Sequence, residues 1–282
     1  MPGTEETPVL QIGSKDRSVG WYDPPIVSVD DPIRDLLENY SRISTDNVIP
    51  RINSMRDKLW DIFPWPCIGQ FRFLDLSLAR QPSYPIILER LKSGDRILDI
   101  GCCLGQDLRR LAYDGVPVES LCGLEIQNDF LSLASDFFND SDSGFNATFI
   151  QADLFDRTHA ELQQVTGTFR IVQLGMILHI WDLDTQTRAC ERVVELLQDR
   201  KGVMVVGQSV GDVTGKAVAA RGKTIYKHNV GSFAEMWAEV GRRTGTEWVV
   251  KAKLDGGLGI DQQKRAWDEP SSRRLSFEVE RV

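Results

Sequence analysis

The chain has 282 residues, 41% of them apolar, which is enough for a buried core in one large α/β domain with an attachment or in two small domains. A net charge of −8 at pH 7 argues against a general nucleic-acid binder, whose footprint is basic. Five cysteines without paired spacing point to a reducing compartment, and no apolar run is long enough to span a membrane.

Residues 1–28 read as a tail and an extended arm, with Pro24-Pro25 preventing a helix. The first sixteen residues are polar, so no secretory signal and a cytoplasmic location are expected. Residues 29–93 read as a helical lid. Asp31 is the expected cap and Pro32 the first residue of a helix whose Ile33, Leu36, Leu37 and Tyr40 share one face. A second helix covers 48–62, and Phe63-Pro64-Trp65-Pro66 ends it. Residues 67–82 are irregular but rich in Ile68, Phe71, Phe73, Leu74, Leu76 and Leu78, and a third helix follows over 83–92, closed by Gly94. These elements either wall off a substrate pocket or simply cover one sheet face.

From residue 94 the rhythm changes. Strands are expected at 96–100, 120–125, 147–152, 170–175, 202–208, 246–254 and 274–281, with helices at 105–113, 128–138, 157–164, 185–198 and 232–243. Such alternation predicts a doubly wound, mostly parallel α/β sheet. The helix-poor stretch 255–272 allows a hairpin-like return.

The organising stretch is Arg96-Ile97-Leu98-Asp99-Ile100-Gly101-Cys102-Cys103-Leu104-Gly105-Gln106-Asp107-Leu108, a buried strand, a glycine turn and a helix start whose free N–H groups suit an anionic group. A dinucleotide fingerprint would need G-x-G-x-x-G. The pattern here resembles motif I of class I S-adenosylmethionine (SAM) methyltransferases, with Cys103 where the broad class has glycine. Asp99, Gly101, Cys102, Gly105 and Gln106 are therefore expected at the cofactor, although Cys102 and Cys103 also read as small side chains filling a turn.

Ligands of doubly wound sheets sit beyond the carboxyl ends of the strands. Glu125, twenty residues after Gly105, stands where an acid accepts both ribose hydroxyls, flanked by Leu124 and Ile126. It is otherwise a surface acid at a strand end. The resemblance to class I methyltransferases, where an acid after the third strand accepts from the adenine amine, implies that Asp153 meets the cofactor base between Ala152 and Leu154; it is otherwise a helix-start acid, for which Asp156 is the better cap. His179, after the fourth strand, is a general base or acceptor-orienting donor, or else an ordinary edge histidine, and Asp182 or Asp184 caps the helix beyond it. Gln208 ends the fifth strand. The run Arg221-Gly222-Lys223-Thr224-Ile225-Tyr226-Lys227-His228-Asn229 is a basic loop from which Tyr226 and His228 are the members expected to reach the acceptor, together with Tyr40 and Phe71 from the lid. No metal-ligand spacing and no nucleophile elbow occur.

With these residues in place, the chain resembles the fungal meroterpenoid-pathway methyltransferases, carboxyl O-methyltransferases of the austinol and andrastin type. The resemblance runs from about Asp31 to the C-terminus. It is carried by Asp35-Leu36-Leu37-Glu38-Asn39-Tyr40-Ser41, Cys67-Ile68-Gly69-Gln70-Phe71-Arg72-Phe73-Leu74, the stretch Leu98 to Asp107, and His228-Asn229-Val230. It implies a Rossmann-like seven-stranded sheet with an antiparallel last strand, SAM as methyl donor (S-adenosylhomocysteine, SAH, as product), and methylation of a carboxylate on a prenylated polyketide-derived acid. The partner is a small-molecule acceptor with an apolar tail, and analogy alone supplies a homodimer through the N-terminal helices. The alternatives are a hydroxyl or phenol acceptor, for which a histidine base becomes necessary, a methyltransferase-fold protein catalysing a non-methylating isomerisation or cyclisation, and a module that holds SAM without turnover.

Overall fold

The computed structural model describes residues 13–220, 222–256 and 268–282. The arm before residue 31 is pinned to the lid: Trp21 is buried, the Trp60 Nε1–H donates to the Lys15 carbonyl at 3.1 Å, and the Tyr22 hydroxyl donates to Asp57 at 2.7 Å. α1 (Asp31–Asp35) runs into a single π-helical turn, Leu36–Tyr40. Asp31 is its first residue and not its cap. The cap position belongs to Asp30, whose carboxylate is drawn away to Arg80 at 3.1 Å. α2 (Thr45–Ile62) starts a turn earlier than expected and carries Pro50 in its second turn, at the loss of one intrahelical bond to the Asp46 carbonyl. α3 (Pro66–Gly69), a 3₁₀ turn (Arg72–Leu74) and α4 (Tyr84–Lys92) complete the N-terminal part.

β1 (Ile97–Ile100) and α5 (Gln106–Tyr113) flank the glycine turn. There follow β2 (Leu121–Glu125), α6 (Asn128–Phe137), α7 (Asp140–Ser143), β3 (Thr148–Gln151), α8 (Ala160–Val165), β4 (Ile171–Gly175), α9 (Leu183–Leu196) and β5 (Met204–Asp212). Then come β6 (Lys216–Ala220), β7 (Lys223–Lys227), α10 (Val230–Thr244), β8 (Trp248–Asp255) and β9 (Ser272–Arg281). Seven strands form one sheet in the order β3-β2-β1-β4-β5-β9-β8, and β9 lies antiparallel to both neighbours. The return between β8 and β9 matches the hairpin-like expectation, although residues 257–267 of that connection lie outside the described residues. The order reverses between β1 and β4, and the crevice beyond that switch point is where such a sheet receives a ligand.

The central strands are buried on both faces. One face packs on α8, α9 and α10 through Leu98, Val172, Val205, Val193, Phe233 and Trp237. The lid has a core of its own, in which Leu37, Ile52, Leu59, Phe71 and Phe73 meet Leu104 and Phe137. Among the described residues no helix is long and apolar enough to cross a membrane.

Two local expectations are corrected. Asp156 does not cap a helix beginning at 157. Its carboxylate closes a turn on the Thr158 N–H and hydroxyl (2.9 and 2.7 Å), which delays α8 to Ala160. The basic run after β5 is not a loop. β5 continues four residues past its expected end, and β6 and β7 form an antiparallel hairpin with Gly222 in the left-handed region at its tip. Arg221 lies outside the described residues.

Candidate active site

The glycine turn is held tightly. Gly101 (φ +70°) and Gly105 (φ +64°) both take left-handed conformations. A Cβ on Gly101 would lie 2.9 Å from Ile177 Cδ1, and one on Gly105 would lie 2.9 Å from the Phe149 ring. Cys103 is left-handed too (φ +54°), a conformation costing a side-chain-bearing residue about 1–3 kcal/mol. Its thiol packs into the lid cluster and burial pushes its pKa up, so the cysteine trades backbone ease for contact with the lid. From below, Arg109 braces the turn. Its Nη1 donates to the carbonyls of Leu104 and Gly105, while Nε and Nη2 grip the Asp140 carboxylate, with Phe138 and Phe145 stacked at 4.6 and 4.5 Å. None of this pairing was readable from spacing, because Arg109 and Asp140 lie on different helices.

Three buried acids gather around the glycine turn. Glu125, at the end of β2, is buried and accepts from the N–H groups of Cys103 (2.9 Å), Ile126 (2.9 Å) and Gln127 (3.0 Å). Burial pushes its pKa up and those three N–H groups pull against it. Asp99 is buried in β1, and its carboxyl is raised first by burial, then by the charges of Asp107 and Glu125. Asp107 is raised by burial to about 6, opposed by hydrogen bonds from Gln173 (2.8 Å), the Leu78 N–H (3.1 Å) and Ser77 (2.9 Å). Asp107 is thus the latch that ties the lid to the turn, and Gln81, donating to the Gly207 carbonyl at 3.0 Å, ties the same segment to β5. The sequence signal was present, since Asp107 closes the quoted glycine stretch, but its partner segment is irregular.

The remaining cofactor-side residues are placed as follows. The Leu124 carbonyl accepts from the N–H groups of Gly101 and Cys102, Ile126 is exposed, and Ala152 and Leu154 are buried beside exposed Asp153. The Asp153 carboxylate accepts from the Phe155 N–H at 2.9 Å. Cys102 is buried, and Gln106 carries a buried amide oxygen with no hydrogen-bond partner among the described residues.

At the ends of β4 and β5, the backbone kinks at Met176 (φ +60°), whose N–H donates to the carbonyl of buried Gln208 at 2.7 Å. His179 follows on a short 3₁₀ turn. Its backbone N–H and ring Nδ1 both meet the Ser209 hydroxyl, at 3.2 and 3.3 Å, and its ring is partly exposed. Gln186 clamps the hairpin to this turn by donating to the carbonyls of both Trp181 (2.9 Å) and Tyr226 (2.8 Å), while the Tyr226 hydroxyl donates to the Gly215 carbonyl. Asp182 caps α9 through the Thr185 N–H, and Asn229 with Ser232 forms a capping box on α10. His228 is buried against Tyr226 and Phe233, with Nδ1 2.9 Å from the Ser232 hydroxyl.

The structure therefore brings Asp99, Gly101, Cys102, Gly105, Gln106, Glu125, His179 and Gln208 to one edge of the sheet. It engages Tyr226 and His228 in holding the hairpin and the start of α10. Phe71 lies in the lid core under the Arg56 guanidinium at 4.5 Å. Tyr40 packs on Tyr113 and bonds Ser143, at the far end of α5 from the glycine turn.

Burial pushes the His228 imidazole down to about 4. The unfolded chain, with an ordinary histidine near 6.5, binds that proton more readily. Stability from this group is therefore complete above pH 6.5 and is lost as pH falls toward 4, by about 3 kcal/mol. Asp107, raised to about 6, acts in the opposite sense over the same interval. The signal to read is the difference between wild type and His228→Asn in urea unfolding at pH 7 and pH 4. A difference that does not change with pH contradicts the burial argument.

The sheet order, the glycine turn after β1 and the acid closing β2 define a class I SAM-dependent methyltransferase. Family models agree: a meroterpenoid methyltransferase N-terminal domain matches residues 21–74, and a methyltransferase domain matches residues 97–200. The chain is 37% identical to O-methyltransferase atr3 of Stereocaulon alpinum, over 99% of this chain and 82% of the relative. It is 37% identical to O-methyltransferase phiE of Fungal sp. (strain ATCC 74256), over 93% and 92%, and 38% identical to methyltransferase adrK of Penicillium roqueforti, over 83% of each. A solved SAM-dependent methyltransferase from Mesorhizobium loti aligns with a TM-score of 0.46 at 18% identity, over 72% of this chain and all of that one. The chain belongs to the family of fungal meroterpenoid-pathway O-methyltransferases, enzymes that use SAM to methylate a small natural product.

Proposed function

We propose that the acceptor is the carboxylate of an acid with an apolar, prenyl-type tail. The observation that carries this is the state of the candidate bases. Tyr226 spends its proton on a backbone carbonyl, and His228 is sealed among aromatic rings. A carboxylate is already ionised at pH 7 and needs no base. Its methylation depends on proximity and alignment.

The residues present fit SAM. The two left-handed glycines let the turn bend tightly against Ile177 and Phe149 beside the strand ends, and the buried carboxyls of Asp99 and Glu125 suit a ligand bearing a ribose, a sulfonium and an ammonium. In this reading Glu125 holds the ribose, Asp153 and Leu154 the base, and Asp99 with Gln106 the amino-acid end. When bound, SAM supplies an electrophilic methyl group. The lid latch on Asp107 excludes water from it. Residues 29–93 are then the lid of a SAM-binding domain over 94–282, and Gln208 and His179 orient the acid.

A second reading has one observation of its own. The His179–Ser209 contact fixes an imidazole at the acceptor edge, as a phenol or alcohol acceptor requires. The two readings separate on His179→Ala. With a carboxylate acceptor we expect turnover to fall by less than about tenfold, and kcat/KM to stay level from pH 6 to 9. A loss of 10²-fold or more with a pH-dependent wild-type profile contradicts the carboxylate reading.

The reading also places the enzyme in the cytoplasm, where its free thiols stay reduced. Its assembly is a homodimer through the N-terminal helices, where Ile86 on α4 is exposed. Sedimentation at monomer mass removes that assembly.

A further inference from the structure

One cation on the lid has no role in the account so far. Arg72 lies on the 3₁₀ turn after Phe71, with its side chain only 7% exposed and its Nη2 2.9 Å from the carboxylate of Asp75. The chain on either side fixes where it sits. Cys67, Phe71, Phe73 and Leu74 pack with Cys103 and Leu104 of the glycine turn. Five residues later Ser77 and Leu78 are bonded to Asp107. Arg72 is therefore held on the lid wall that spans the turn. Its charge reaches the Cys67 thiol, which also feels Glu125, and the Asp75 charge reaches Asp107.

We propose that Arg72 receives a ligand carboxylate, exchanging Asp75 for it when the pocket fills. The physical case is charge matching. A carboxylate entering beside Glu125, with Asp99 and Asp107 buried close by, meets an acidic surrounding and requires a cation. A guanidinium supplies it with a planar fork. Asp75 is about one-third exposed, so it is a partner that water can replace when the arginine turns to a ligand. Two carboxylates have this chemistry, the amino-acid end of the cofactor and the acid of the acceptor. The acceptor arm rests on the proposed function above, and the cofactor arm does not.

The test uses the full-length enzyme, with Arg72→Gln, Arg72→Lys and Asp75→Asn. Calorimetry reads the binding of SAH and of 5′-methylthioadenosine, which has the same nucleoside and no amino-acid end. Steady-state kinetics reads KM for a prenylated aryl acid. If Arg72 holds the cofactor carboxylate, Arg72→Gln weakens SAH on the order of tenfold to a hundredfold and leaves methylthioadenosine unchanged. If it holds the acceptor acid, SAH binding is unchanged and KM rises by that factor, with kcat much less affected. In either case Asp75→Asn, which removes the competing carboxylate, tightens the same ligand, and Arg72→Lys recovers part of the loss. Equal weakening of SAH and methylthioadenosine, or no effect on any ligand, overturns the proposal. Methylthioadenosine binding shows that each variant is folded. Absence of methyl transfer to any acid by wild type would instead strike the proposed function alone.

Discussion

Replacing Glu125 with alanine removes most of the affinity for SAH, by roughly a hundredfold or more. The carboxylate is buried at the end of β2, where a ribose would exchange water for bonds to an ionised acceptor, each worth about 1.5–3 kcal/mol. The same change strands the N–H groups of Cys103, Ile126 and Gln127, so the turn loses its anchor as well as the site its acceptor. Glu125→Gln separates the two effects. It keeps one acceptor oxygen for the backbone and should lose less. Calorimetric titration with SAH reads both variants, and wild-type affinity in Glu125→Ala would remove this residue from the site.

Arg109→Met should be the most destabilising single substitution at the site, by about 3–5 kcal/mol, because it leaves Asp140 as a buried carboxylate without its cation. The Leu104 carbonyl loses its side-chain donor at the same time, while the Gly105 carbonyl keeps the backbone N–H of residue 109. For a chain of this size that corresponds to a melting temperature lower by roughly 10 °C. The double variant Arg109→Met/Asp140→Leu should recover a large part of the loss, since the lone charge is gone. A single variant that melts within about 2 °C of wild type would mean that the pair is not what braces the turn.

The sheet was legible in the sequence because its signals are local. Ile97–Ile100 is apolar on both faces, and Gly101 and Gly105 mark a bend that the left-handed backbone confirms. The hairpin is not legible locally, because Lys216–Ala220 is a run of small residues with weak alternation and its partner strand has the composition of a cationic loop. What makes it a strand pair is tertiary. Gln186 clamps Tyr226, and buried Lys227 pairs with Asp268 (3.0 Å) and Ser272 (2.8 Å), more than forty positions away. The same limit hid the Arg109–Asp140 brace and the Asp107 latch. Helix starts were harder to read where an acid has a nearer partner than the helix: Asp156 answers to Thr158, and Asp31 lies inside α1 and not ahead of it. The His228 and Tyr226 side chains contact the capping-box serine and the base of the hairpin, partners that spacing does not reveal.

The central claim is that this fold carries methyl to a carboxylate oxygen. The measurement that tests it most directly is incubation of the enzyme with SAM labelled in its methyl group and a prenylated aryl acid bearing a free phenol, followed by mild alkaline hydrolysis of the product. The account predicts label in the product that hydrolysis releases as methanol, as an ester must. Label that survives hydrolysis marks an ether, makes His179 the base, and contradicts the carboxylate assignment.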